Sequence, residues 1–111
     1  MKGMESGTLV IVHCTNPREK RWGLLLGLES TGAVVRGMDL ATVEDWLRQE
    51  RAGNPTLIGP STFFIPAHRL VRIDLDESGA VVESYGERYR QACGRPVEDV
   101  LRGTVPVEAT D

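Results

Sequence analysis

Aromatic residues, cysteines and long apolar runs are all scarce in this 111-residue sequence, which contains two Trp, two Tyr, two Phe and two Cys. No apolar stretch approaches the roughly 18 residues that a transmembrane helix requires. The early apolar run at residues 9–12 is also too short to be the core of a secretory signal. We therefore expect a soluble, cytoplasmic protein with no membrane partner.

Neither sign of charge dominates the sequence. Lys and Arg together number 13, Asp and Glu number 16, and the formal net charge is −3. This balance creates no overall field that would draw the chain to nucleic acid. We therefore predict no DNA binding, and any contact with RNA or another anion has to be local.

The few cysteines and histidines do not form a metal site that local spacing would predict. Cys14, Cys93, His13 and His68 show none of the close spacings that zinc ligands share. The two cysteines could pair in principle, but reduced thiols are the expectation in the cytoplasm. His13 and Cys14 are adjacent in a predicted strand, so their side chains point to opposite faces and make a poor catalytic pair. We predict no metal, no cofactor and no enzymatic activity.

The 41% hydrophobic content fits one small folded domain. We place this domain at residues 8–103, between a flexible N-terminus at residues 1–7 and a flexible tail at residues 104–111. Its first part reads as β structure, with strands at residues 8–14, 22–28 and 33–38. Two further strands are predicted at residues 62–65 and 70–75, and a short edge strand at residues 80–82.

Glycines interrupt the second predicted strand at Gly23 and Gly27. Glycine weakens a strand unless the sheet bends sharply or another backbone comes close. The pattern therefore indicates a coiled strand of a small barrel.

Helical patterns occupy two other regions. Thr42 with Asp45 predicts the start of an amphipathic helix at about residues 42–52, inserted between the third and fourth strands. Ser84 with Glu87 forms a capping box that opens C-terminal helices at about residues 84–102. The apolar face of the inserted helix, a candidate protein-interaction surface, consists of Val43, Trp46 and Leu47.

A basic cluster beside Trp22, at the turn between the first two strands, is the best candidate for phosphate contacts. The turn before the fifth strand carries further basic side chains that could join it. The alternative is a solvated loop beside a tryptophan that belongs to the core. The predicted ligand-binding residues are Arg18, Lys20, Arg21, His68 and Arg69.

Two segments resemble the motifs of Sm-like proteins. Gly23-x-Leu25 followed by Glu29 is similar to the first Sm motif, and residues 64–73 are similar to the apolar frame of the second. The resemblance implies a mainly β fold with added helices, a five-stranded Sm-like or SH3-like barrel that assembles through strand edges and binds RNA. The positions of that family's RNA-binding Asn and Arg-Gly pair hold Gly32-Ala33 and Pro66-Ala67 here. Residues 17–23 and 36–40 also resemble uncharacterised bacterial proteins.

Two functional hypotheses follow, and both are favoured over a third, that the protein is a small enzyme. The first is a non-enzymatic, Sm-like homo-oligomeric module that contacts RNA or another anionic ligand through the basic turns. The second is a protein-interaction or self-association barrel that uses the apolar face of the inserted helix.

Overall fold

The structure is a computed structural model that describes residues 5–53 and 58–103 of the chain. It is a small mixed α/β domain with a five-stranded antiparallel sheet and three helices. The strands are β1 (Leu9–Cys14), β2 (Glu19–Glu29), β3 (Gly32–Asp39), β4 (Ser61–Pro66) and β5 (Leu70–Leu75). The helices are α1 (Val43–Ala52), α2 (Tyr85–Cys93) and α3 (Val97–Gly103), and single 3-10 turns, Leu40–Thr42 and Ala67–Arg69, precede α1 and β5.

The sheet is coiled, because its two edges are joined by a very short connection. Its strand order is β4-β3-β2-β1-β5, so β4 and β5 lie at opposite edges. In the chain, however, Pro66 and Leu70 are only four Cα steps apart, a reach of at most about 15 Å. A flat sheet of five strands would separate its edges by about 19 Å. The sheet therefore curls toward itself.

Hydrogen bonds from the connecting turn hold this curvature at both ends of β2. The Ala67 N–H donates to the carbonyl of Thr31 at 2.8 Å, in the turn that follows β2. The Thr15 N–H donates to the carbonyl of Arg69 at 2.9 Å, in the turn that precedes β2. One three-residue turn thus touches both hairpins, although the 11 residues of β2 separate them.

Two apolar cores lie on the two faces of the sheet. The inner core draws on every strand and consists of Val10, Val12, Cys14, Leu25, Ala33, Val35 and Ile65, with Phe63, Leu70 and Ile73 against it. The outer core lies beneath the three helices and consists of Leu9, Trp22, Leu24, Met38, Val43, Trp46, Leu47, Tyr89, Val97 and Leu101. At its centre Trp46 stacks on Tyr89 with ring centroids 5.2 Å apart, and Trp22 packs beside Trp46 at 5.9 Å.

The carboxylate of Asp76 joins the sheet to α2. It accepts hydrogen bonds from the N–H groups of Tyr85 and Gly86, each at 3.0 Å, and from Nε1 of Trp22 at 3.1 Å. A negative charge at a helix N-terminus is favourable because the first N–H groups have no partner within the helix. Asp76 therefore links the sheet to the helical layer.

Most predicted elements occur close to the expected positions, with two exceptions. Residues 80–82 form no strand, and Val81 is 91% exposed. Thr42 precedes α1 but makes no side-chain capping bond, since its backbone is already helical (φ −96°, ψ −6°) and its Oγ1 faces the carbonyl of Asp39, to which it donates at 2.8 Å. The capping prediction for Ser84 is confirmed, since its Oγ accepts from the N–H of Glu87 at 3.0 Å.

Some predictions concern residues outside the described ranges. The expected flexibility of residues 1–4 and of the tail at 104–111 is in this group. Within residues 5–53 and 58–103, none of the helices has the length and apolar character that a membrane crossing demands.

Two glycines let β2 and β3 approach closely. Gly23 and Gly37 are directly paired across the two strands. A Cβ on Gly37 would overlap the carbonyl oxygen of Trp22, and one on Gly23 would overlap that of Arg36. The close approach expected at Gly23 is therefore present. Gly27 differs, because a Cβ there meets nothing within 4 Å.

We predict that Gly37→Ala lowers the free energy of unfolding by about 1–3 kcal/mol, because backbone on the facing strand has to move. Gly27→Ala is the matched control in the neighbouring strand, with an expected change between zero and a gain of about 1 kcal/mol. Urea denaturation of both variants measures the difference. Equal stability of the two variants would contradict the close approach of β2 and β3.

Candidate functional site

The candidate site is built where the β1–β2 turn meets the turn before β5. Arg69 anchors this junction, since its guanidinium donates to the carbonyls of Thr15 (3.0 Å) and Pro17 (2.8 Å) and to Oε2 of Glu19 (2.6 Å). These bonds tie the two turns together. The role of Arg69 is therefore to position the turns, and its charge is matched by an acid.

Arg21 is held in a similar way. Its guanidinium pairs with Glu19 and with Asp39, each at 3.1 Å, and lies 4.9 Å from the centre of the Phe63 ring. The hydrogen bond from Arg69, aided by the charge of Arg21, lowers the pKa of Glu19. Glu19 is thus an ionised bridge between two arginines.

The five predicted ligand-binding residues fall into two groups. Arg21 and Arg69 are half-buried and engaged by acids, whereas Arg18, Lys20 and His68 are exposed. The bond between the two turns brings the segment of His68 next to that of Arg18 and Lys20. The exposed three are the ones that a ligand can reach.

The predicted interaction face of α1 is part of the outer core. Val43, Trp46 and Leu47 are all buried, and Trp46 is only 1% exposed. These side chains pack on the sheet and on α2, because the amphipathic helix covers apolar side chains of this same chain. The face is therefore not available to a partner, and that site prediction is corrected.

His13 and Cys14 lie in different surroundings, as their alternation in β1 requires. Cys14 belongs to the inner core, where burial raises the pKa of its thiol. Nε2 of His13 lies 2.9 Å from Oδ2 of Asp74, which is also 3.3 Å from Nε of Arg72. In the described part of the chain, no three His, Cys, Asp or Glu side chains are grouped so that they could hold a metal ion.

Among the surface cavities that the described residues form, two have charged and apolar linings. One, of about 540 Å³, is lined by Glu19, Lys20, Asp39, Leu40, Ala41 and Tyr85. The other, of about 460 Å³, lies between α1 and α2 and is lined by Glu44, Leu47, Arg48, Arg51, Glu83, Arg88, Gln91 and Ala92. Arg88 and Glu44 join the two helices there through hydrogen bonds of 2.7 and 2.6 Å.

No protein-family model, curated protein or solved structure matches this chain. Function has to be inferred from the geometry of the chain itself.

The ionised Glu19 makes stability depend on pH. Because its pKa is lower in the folded protein, its contribution is full above its unfolded value of about 4.3 and is lost as the pH falls through the folded value. We predict that Glu19→Gln costs about 1 kcal/mol at pH 7 and that this difference from the wild type shrinks toward pH 3.

Chemical denaturation at pH 7, 5 and 3 tests this. Glu29→Gln, an exposed position at the far end of β2, is the control and should change stability equally little at each pH. A Glu19→Gln effect that is constant across these pH values would show that the carboxylate does not stabilise the junction.

Proposed function

We propose that this protein is a non-enzymatic assembly module, built on a small Sm-like or SH3-like barrel and self-associating through its sheet edges. The antiparallel order β4-β3-β2-β1-β5 and the short 3-10 turn between the edge strands support such a barrel. The inner core that draws on all five strands supports it as well.

The observation that carries the proposal is the character of the two edges. Each edge strand is six residues long and pairs with one neighbour in the sheet. Each also exposes a large apolar side chain: Phe64 on β4 is 52% exposed and Val71 on β5 is 63% exposed. Edge strands with open backbone groups and apolar side chains are natural templates for pairing with another chain.

Pairing of β4 in one copy with β5 in the next would join different surfaces of the two copies. Such a contact repeats from copy to copy and closes into a ring when the rotation permits. It would cover Phe64 and Val71 and would satisfy the backbone groups of both edges.

We predict that Phe64→Lys and Val71→Lys each weaken self-association at least about tenfold, because lysine on an edge strand opposes pairing. Sedimentation velocity across a concentration series measures the assembly. Val82→Lys is the matched control, since Val82 is 73% exposed but lies outside the strands. A wild-type chain that stays monomeric, or equal weakening by Val82→Lys, would refute the proposal.

A second candidate function is the binding of RNA by the two basic turns. It is favoured by the exposure of Arg18, Lys20 and His68 beside arginines that already have acidic partners. The resulting local surface is positive although the chain as a whole is acidic.

The salt dependence of RNA binding tests this candidate. We expect a single-stranded oligouridylate to bind less tightly as salt increases, and the double variant Arg18→Glu with Lys20→Glu to lose most of the affinity. Fluorescence anisotropy measures both. The control reverses the same number of charges at Arg48 and Arg51 on α1, so equal losses in the two variants would argue against a site at the turns.

A further inference from the structure

Three nitrogen-bearing side chains form a row across the sheet. In the strand register, His13 of β1 is paired with Lys20 of β2 on one side and with Arg72 of β5 on the other. Directly paired residues share one face of a sheet. This is the outer face. Side chains alternate along β1, so His13 points to the same side as Leu9, which belongs to the outer core.

The row lies at the end of the outer face that the helices leave open. Lys20 is exposed, the side chain of Arg72 is 66% exposed and that of His13 is 21% exposed. Buried Trp22 lies two residues further along β2, beneath the helices. The row is therefore at the margin of the helical layer and accessible from solvent.

Asp74 orients two members of the row. Its Oδ2 lies 2.9 Å from Nε2 of His13 and 3.3 Å from Nε of Arg72. The terminal nitrogens of Arg72 are not part of that contact. A guanidinium offers several donors in one plane, so Arg72 can bind an anion through its terminal nitrogens while Asp74 orients the group through Nε.

The cavity of about 540 Å³ adjoins the row through Lys20, which lines it. Two acids also line this cavity, but each already pairs with Arg21, and Glu19 pairs with Arg69 as well. The charges of both acids are therefore matched by arginines, and Lys20 adds a positive charge to the lining of this cavity. The remaining lining is apolar or aromatic and consists of Leu40, Ala41 and Tyr85.

We infer that the Lys20–His13–Arg72 row and the adjoining cavity bind a small diphosphate ester that carries a planar or apolar group. β1 separates β2 from β5, so these two strands lie about 10 Å apart. Lys20 and Arg72 are long enough to reach two neighbouring phosphates across this distance. The attached group would lie against Tyr85 and Leu40. Phosphoryl oxygens match the fork of Arg72 and the point charge of Lys20.

This site does not depend on self-association, since all its residues come from one chain. It shares Lys20 with the proposed RNA surface, but His13 and Arg72 lie outside that surface, and Arg18 and His68 lie outside this site. A chain that neither assembles nor binds oligouridylate can still bind the diphosphate ester, so the failure of each proposal is separately visible.

The experiment uses inorganic pyrophosphate and ADP as probes of the full chain. Calorimetry measures affinity, and NMR follows the imidazole signals of His13. We expect saturable binding of both probes, displacement of the His13 signals, and tighter binding of ADP because its base can stack on an aromatic ring. Arg72→Gln and Lys20→Gln should each weaken pyrophosphate binding about tenfold or more.

Arg18→Gln is the matched control, an exposed arginine two residues from Lys20 whose loss should leave pyrophosphate affinity unchanged. Tyr85→Leu should remove the advantage of ADP over pyrophosphate while retaining the packing of an apolar side chain. Unchanged His13 signals, absence of saturation at millimolar probe, or an Arg18→Gln loss equal to that of Arg72→Gln would each overturn the inference.

Discussion

The short connection between β4 and β5 is the constraint on which the rest of this structure depends. Because Ala67–Arg69 joins opposite edges of the sheet, β2 has to coil, and the sheet curves around the apolar side chains of its inner face. Coiling in turn requires β2 and β3 to approach closely, which is why Gly23 faces Gly37. The same turn brings Arg69 to the β1–β2 hairpin and thereby forms the charged junction at Glu19.

Position on the sheet decides which cations are available for binding. Arg21 and Arg69 lie where two turns meet, so acids engage them and they serve the fold. Lys20 and Arg72 point from strands near the edge of the helical layer, so solvent reaches them. In the functions proposed above, the exposed members would recognise the ligand, and the edges of the sheet would pair with another copy.

Local patterns predicted most strands and helices, because alternation and capping are encoded within a few residues. The missing side-chain cap at Thr42 reflects the preceding 3-10 turn, which gives Thr42 helical backbone angles and directs its hydroxyl toward Asp39. The site was less predictable. Glu19 contacts Arg69 at a separation of 50 residues, and His13 contacts Asp74 at 61, distances over which spacing carries no information. The burial of Trp46 was equally hard to predict, because it depends on the curved sheet beneath α1, and that curvature arises from contacts between distant parts of the chain.

The carboxylate of Asp76 couples the melting of two layers. It is shared by the indole of Trp22 and by the first N–H groups of α2, so lifting the helix would break both backbone bonds and leave the carboxylate with the indole alone. Leaving such groups unpaired costs more than fraying an exposed turn. Amide hydrogens of α2 and the Trp22 indole should therefore exchange with solvent as one cooperative unit, at the rate of a whole-layer opening.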